Sequence, residues 1–382
     1  MQYERVIDLF HRNFTELEEL GASVSVWRDG REVVSLAGGF RDRQKTEPWT
    51  VDTKVLFWSA TKGLSAACVL HACQEHGFSP ATRVAEIWPE FAQSGKERVT
   101  IGELMSHQAG VPVLTPVVSA LDHEAVAAAL AAEPPHWPLG CGHGYHPRTF
   151  GYLLDEMLRR ITGGTPLREY WRAHFADILE LDVWIGMPKE RVHEASSIFP
   201  ARAASPKDDP FYIAFMTPTS LTARAFASPR GLYSVAAMNS PEGRTASLGA
   251  FGGVGTARGL GKFYAMLAEG GTFQGQRFFE PTTLEWMTTT LSQGQDRILL
   301  LETAFSAGFM RDPVDASGAK ERQGYGPSPR AFGHPGAGGS VAFADPENRV
   351  AFAYVMNQME PGVLPGPKSL RLIEALYAAI DR

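Results

Sequence analysis

The sequence predicts an α/β chain of the α+β kind: an antiparallel sheet flanked by terminal helices, with a helical region inserted between its two halves. Three observations carry this. Near the N-terminus, 22–28 and 31–37 alternate apolar and polar residues around Asp29-Gly30, a two-residue hairpin signal. The last third returns to strand-like runs at 304–310, 340–345 and 349–356, then ends in an apolar-striped helix over 368–381. Between these, from about 63 to 210, the pattern is mostly helical. Strands at both ends with helices between place the two ends in one sheet.

In chain order, residues 1–20 read as a helix with Val6, Ile7, Leu9, Phe10, Phe14 and Leu17 to one side, stopped by Gly21. After the hairpin, Gly38-Gly39 and a polar loop lead to Lys54-Val55-Leu56-Phe57. The near-continuous apolar run over 64–73 marks a helix buried on nearly all sides. Thr100 and Glu103 form a capping-box pair that opens a helix at Ile101. Further helices are expected over about 123–133, 148–161 and 166–180. Residues 196–245 are rich in Pro, Ser and Ala, show no period, and read as a long irregular crossing. Thr256 caps a helix over about 257–270, and 345–348 turns between the last two strands. The resulting division is 1–65 with 215–382 as the α/β domain and 66–214 as a mainly helical domain.

Composition narrows the function classes. With 382 residues, 44% hydrophobic and 20% charged, the chain is an ordinary globular one of one large or two intertwined domains. A net charge of −6 makes no electrostatic case for nucleic acid or an anionic membrane. Cys68, Cys73 and Cys141 are an odd set, two of them in an apolar helix, which fits a reducing compartment better than a disulfide framework. No signal peptide and no membrane-length apolar run is visible, so a cytoplasmic location is expected. Oligomeric state leaves no trace in the sequence.

The chemistry centres on Ser59-Ala60-Thr61-Lys62. A helix starting here puts Ser59 and Lys62 on one face, at an N-terminus whose unpaired N–H groups suit an oxyanion. Ser59 is then a candidate nucleophile and Lys62 the amine that takes its proton, the alternative being an ordinary Ser N-cap and an exposed lysine. A second Ser-x-x-Lys, Ser317 to Lys320, lacks the following apolar helix and reads as a solvated loop. Tyr145, after a Gly/His loop and before a helix, offers a phenol to the same serine or else simply packs. Near the C-terminus, His334-Pro335-Gly336-Ala337-Gly338-Gly339 opens a strand, and its glycines allow close backbone approach to a ligand.

In this order and at these separations, Ser59-x-x-Lys62, Tyr145 and His334-Pro335-Gly336 resemble the serine β-lactamase/penicillin-binding superfamily. The similarity is greatest to class C-like serine hydrolases and family VIII carboxylesterases, and it spans essentially the whole chain. The resemblance implies a β-lactamase-like fold with the active site in the cleft between the two domains. It implies Ser59 as the acylated nucleophile, Lys62 as its activating amine and Tyr145 as a proton shuttle. It also implies an oxyanion hole from the N–H groups of Ser59 and Ala337, with His334, Gly336 and Gly338 in the third motif on the substrate side. Two departures stand out. Pro147 occupies the position where the tyrosine motif usually carries Asn, and His334 stands where a lysine is usual. Histidine titrates near about 6.5 against about 10.4 for lysine, so the fixed charge that would hold a carboxylate is largely gone at neutral pH.

The expected function is therefore a serine hydrolase, a carboxylesterase on small short-chain esters, with no cofactor and no metal. The rivals are a β-lactamase or D-amino-acid peptidase, a non-catalytic binder of the same fold, and acyl transfer to an acceptor other than water. His136, Cys141, His143 and His146 crowd one loop without a zinc-like spacing, and some of them are expected to line the cleft. Gly253-Val254-Gly255 lacks the rest of a dinucleotide fingerprint, and no Gly-x-Ser-x-Gly occurs. Trp58, Trp137, Phe150, Phe251 and Phe332 lie beside the motifs and are candidates for an apolar acyl pocket.

Overall fold

In the computed structural model, which describes residues 2–202 and 208–380, an eight-stranded antiparallel sheet forms the centre. From one edge its strands run Arg31–Gly39, Gly21–Arg28, Val350–Met356, Val341–Asp345, Phe332–Pro335, Met310–Arg311, Glu302–Phe305 and Ser292–Gln295. The N-terminal hairpin joins the C-terminal strands through the register Ala22↔Met356 to Arg28↔Val350. Both ends of the chain thus build one sheet, as their strand patterns predict.

Alternation along the strand Val350–Met356 shows how the sheet is covered. Ala351, Ala353 and Val355 belong to the core that contains Leu260, Phe263 and Leu267 of the helix Ala257–Ala268. Val350, Phe352, Tyr354 and Met356 belong to the core that contains Val6, Phe10, Leu372 and Leu376 of the terminal helices Glu4–Glu16 and Pro367–Ile380. Successive side chains point to opposite faces, so a strand covered on both sides must be apolar throughout. Alanines on one face let the helix Ala257–Ala268 lie close.

The helix Thr61–His76 is the apolar run read from the sequence, and it is buried on nearly every side. It packs against Thr149–Thr162 and Leu167–Trp171 and ends at Gly77, whose φ of 74° suits a left-handed cap. The capping box at Thr100 and Glu103 and the Thr256 cap are both present.

Several expectations are corrected. The first helix stops at Glu16, and Gly21 opens a strand instead. The expected strand 304–310 is two, Glu302–Phe305 and Met310–Arg311, and the helix over 166–180 is Leu167–Trp171 followed by a single wide turn at Arg172–Ala176. Residue 381 of the last expected helix lies outside the described residues. The crossing 196–245 is not irregular where described: it holds the short helices Pro210–Phe215, Leu221–Ala227, Val235–Asn239 and Pro241–Thr245. Asp209, Ser220, Ser234 and Ser240 cap them in turn. None runs more than two turns, too short to show a hydrophobic period.

Candidate active site

A small three-stranded sheet delivers the nucleophile. Val55–Leu56 pairs with Gly253–Gly255, which pairs in turn with Val183–Ile185, a strand missed within the helical region. The pairing continues past the strand, since the Phe57 amide donates to the Gly253 carbonyl at 3.0 Å and the Gly253 amide donates to Thr61 Oγ1 at 2.8 Å. Ser59 sits in the single 3-10 turn Trp58–Ala60 directly before the helix Thr61–His76. Trp58 is held at a φ of 45°, a conformation that costs a non-glycine residue about 1–3 kcal/mol. The Thr61 hydroxyl, donating to the Trp58 carbonyl at 2.5 Å, helps to hold it there.

Lys62 is wholly buried, and its Nζ has three oxygen neighbours. These are Ser59 Oγ at 3.2 Å, the Pro147 carbonyl at 2.9 Å and the Ala250 carbonyl at 2.9 Å. No carboxylate is among them. Burial drives its pKa well below that of free lysine, and the nearby Arg148 guanidinium adds to the effect. Nζ also lies 4.6 Å from the centre of the Tyr145 ring.

Tyr145 is buried, with Ser59 beside its hydroxyl. Burial pushes this phenol up, Ser59 opposing and the Asp296 charge reinforcing the shift. Behind the tyrosine lies a polar cluster that motif reasoning did not find. Asp296, fully buried, accepts the amides of Tyr145, Ile298 and Leu299 and the Thr303 hydroxyl. His143 Nε2 is 2.6 Å from Thr303 Oγ1 and 3.7 Å from Asp296 Oδ2. His107 accepts the His146 amide, and His146 accepts the Val111 amide. His143 and His146 therefore belong to the cluster behind Tyr145, while His136 turns to Glu133 and the Val113 carbonyl; none of the three lines the cavity beside Ser59. Among the described residues no group of three or more His, Cys, Asp or Glu side chains could hold a metal ion.

His334 occupies the strand Phe332–Pro335, almost wholly buried, with its ring centre 5.9 Å from that of Tyr145. Its Nδ1 is 2.7 Å from the Pro335 carbonyl and donates to it, so Nε2 carries the lone pair; that atom is buried without a partner. Burial, aided by Lys62, lowers its pKa to about 3, which leaves the ring neutral at physiological pH. The turn after it presses on the nucleophile segment, since a Cβ on Gly336 would sit 2.1 Å from the Phe57 carbonyl oxygen. The amides of Gly336, Gly338 and Gly339 are committed to the carbonyls of Ser340, Gly362 and Gly336. Gly336 and Gly338 thus shape the turn, and Ala337 is the residue of it that lines the cavity with Ser59.

The second Ser-x-x-Lys is no site. Ser317 is exposed and bonds Asp315, while Lys320 is not solvated but turns to Asp312 at 3.0 Å and to the Gly326 carbonyl at 2.7 Å.

The cavity beside Ser59 measures about 530 Å³. Trp58 and Phe251 of the expected aromatic set line it; Trp137, Phe150 and Phe332 do not. Phe211, Phe226 and Tyr233 of the 208–235 stretch line it too, as do residues 359–363. Arg148 also lines it, but its guanidinium donates to the carbonyls of Pro229, Gly231 and Leu232.

The Beta-lactamase family profile matches residues 10–376. The chain belongs to the β-lactamase family. Within this family it is similar to "Esterase/beta-lactamase LipL" of Mycobacterium tuberculosis, 32% identical over 352 residues that cover 89% of this chain and 77% of the relative. A penicillin-binding protein homologue from Caulobacter crescentus is 35% identical with a TM-score of 0.87, covering 99% of this chain and 97% of its own. A family VIII carboxylesterase is 33% identical with a TM-score of 0.86 and the same coverage. Membership of the β-lactamase family makes the chain a serine hydrolase of the β-lactamase/penicillin-binding superfamily.

Proposed function

We propose that this chain is a carboxylesterase that works through an acyl-enzyme on Ser59, in the cleft between residues 1–65 with 215–382 and residues 66–214. The placement of Lys62 carries the reading. A neutral amine has two N–H donors and one lone pair. The Pro147 and Ala250 carbonyls take the two donors at 2.9 Å each, which leaves the lone pair for the Ser59 hydroxyl at 3.2 Å. Burial and Arg148 favour this uncharged form.

Ser59 Oγ attacks the ester carbonyl carbon as its proton passes to Lys62. The oxyanion rests on the N–H groups of Ser59 and Ala337. Tyr145, kept a phenol by burial, gives its proton to the departing alkoxide, and the Lys62 ammonium restores it. Water then cleaves the acyl-enzyme by the same proton route in reverse. Uncharged esters suit the site because His334 is neutral and Pro147 has no side-chain amide to orient a substrate.

The test compares hydrolysis of p-nitrophenyl butyrate and fluorophosphonate labelling in the wild type and in Ser59→Ala. Loss of both in the variant is expected; undiminished turnover sinks the mechanism. A chromogenic cephalosporin belongs in the same assay, because the mycobacterial relative's name joins the two activities. Turnover equal to that of the ester would make the chain a β-lactamase.

A further inference from the structure

We propose that the preferred substrates are esters in which one half is a bulky aromatic group, seated among the rings of the cavity beside Ser59. This rests on Ser59 as nucleophile and goes beyond it by naming the substrate class, larger than the short-chain esters that the sequence suggested.

The first argument is size. At about 530 Å³ the cavity falls within the roughly 300–1,000 Å³ range of pockets that enclose drug-sized ligands. A butyryl group would leave most of it unfilled, and unfilled apolar space forfeits contact on every wall.

The second is the lining. Six aromatic side chains line it together with Ser59: Trp58, Phe211, Phe215, Phe226, Tyr233 and Phe251. Phe226 meets Phe211 at 5.7 Å and 68°, and Phe215 at 5.3 Å and 83°, so the rings already pack edge to face. A flat aromatic guest extends such an array with both face and edge contacts, which an aliphatic chain cannot supply.

The third is charge. Arg148 lies over the Phe251 ring at 4.3 Å with both of its terminal nitrogens given to backbone carbonyls, while its Nε is buried without a partner. Glu360, the carboxyl in the wall, is pushed up to about 7 by burial. Most Arg148 donors are thus already taken, and Glu360 is only partly ionised at neutral pH, so the wall carries little free charge beside its rings. The helix Pro210–Phe215 also leaves Ile213 and Phe215 exposed, 55% and 40%, and exposed apolar surface beside a cavity marks a binding face.

The experiment uses ester pairs matched in leaving-group type. One pair is 2-naphthylmethyl acetate against ethyl acetate; the other is methyl 2-naphthylacetate against methyl butyrate. In at least one pair the naphthyl ester should win by about tenfold or more in kcat/KM, and the pair that shows it tells which half enters the cavity. Phe226→Ala and the more exposed Phe215→Ala should each reduce that ratio at least about threefold. The ratio is internal to each variant, so partial loss of folded protein does not mimic the effect. Fluorophosphonate labelling separates the two layers. Labelled Ser59 with small esters preferred in both pairs, or a naphthyl preference that both variants keep, overturns this inference alone. Unlabelled Ser59 overturns the nucleophile reading and this one with it.

Discussion

The amide of Tyr145 donates to both carboxylate oxygens of Asp296, each at 3.0 Å, across 151 positions of chain. Asp296 touches no reacting atom in the proposed mechanism. It fixes the loop from which Tyr145 reaches Ser59, and its charge helps to keep the phenol protonated. Asp296→Asn keeps the shape but turns an NH₂ towards amides that need an acceptor. The variant should lose about 1–3 kcal/mol of stability and fall in kcat with little change in KM. Thermal unfolding and steady-state kinetics check this. A parallel rise in KM alone would remove Asp296 as a positioning residue.

Lys62→Met keeps the buried volume and deletes the base. Its kcat for p-nitrophenyl butyrate should drop by about 10²–10⁴ while the native fold persists by circular dichroism. A folded variant with near wild-type kcat would hand the proton to another group.

The pH profile follows from the same amine. A protonated Lys62 cannot accept the Ser59 proton, so the acid side of the profile is the inactive one. Activity should rise with pH and level off at a midpoint well below 10.5, the ordinary lysine value. A midpoint close to 10.5 would make Lys62 a conventional ammonium.

Buried histidines set the acid limit of stability. Burial lowers His71 to about 4 and His146 and His334 to about 3, from 6.5. In the unfolded chain each binds a proton as pH falls through 6.5; in the folded chain each waits for its lower value. The unfolded state thus holds more protons in that window, and stability is lost from about pH 6.5 downward, being fully present above it. Urea midpoints at pH 7.5 and pH 5 report it directly. An unchanged midpoint at pH 5 would mean that these rings are solvated.

His334→Lys tests why uncharged esters are expected. A cation placed here should raise turnover of a carboxylate-bearing cephalosporin relative to p-nitrophenyl butyrate, at the expense of stability, since the site is buried and lies near Lys62. A ratio of the two rates that does not move would dissociate this position from substrate charge.

What could be read ahead of the structure was whatever rests on local pattern or fixed order. The hairpin around Asp29-Gly30, the capping box at Thr100 and the buried helix after Ser59 each announce themselves within a dozen residues. The three-residue spacing brings Lys62 to Ser59, although the α-helix opens only at Thr61, after the turn that holds Ser59. The short helices of the 210–245 stretch escaped because each is one or two turns long, although Asp209-Pro210 and Ser240-Pro241 are N-cap and N1 pairs that point to helix starts. Asp296 escaped for a different reason. Nothing near it in sequence signals its task, which is set by a loop folded against it from 151 positions away. The aromatic wall is of the same kind, because Phe211 and Phe226 become neighbours of Ser59 only through the path of the chain.

The three oxygens around the Lys62 amine come from residue 59, residue 147 and residue 250, so the base exists as a base only where three distant stretches meet. A chain that has collapsed but not yet docked the 147 and 250 loops would leave the amine open to water, where it regains its proton. Such a chain cannot turn over substrate. Catalysis in this protein is therefore a gauge of native assembly, and in a refolding experiment recovered activity should lag recovered helix signal by the time those loops take to close.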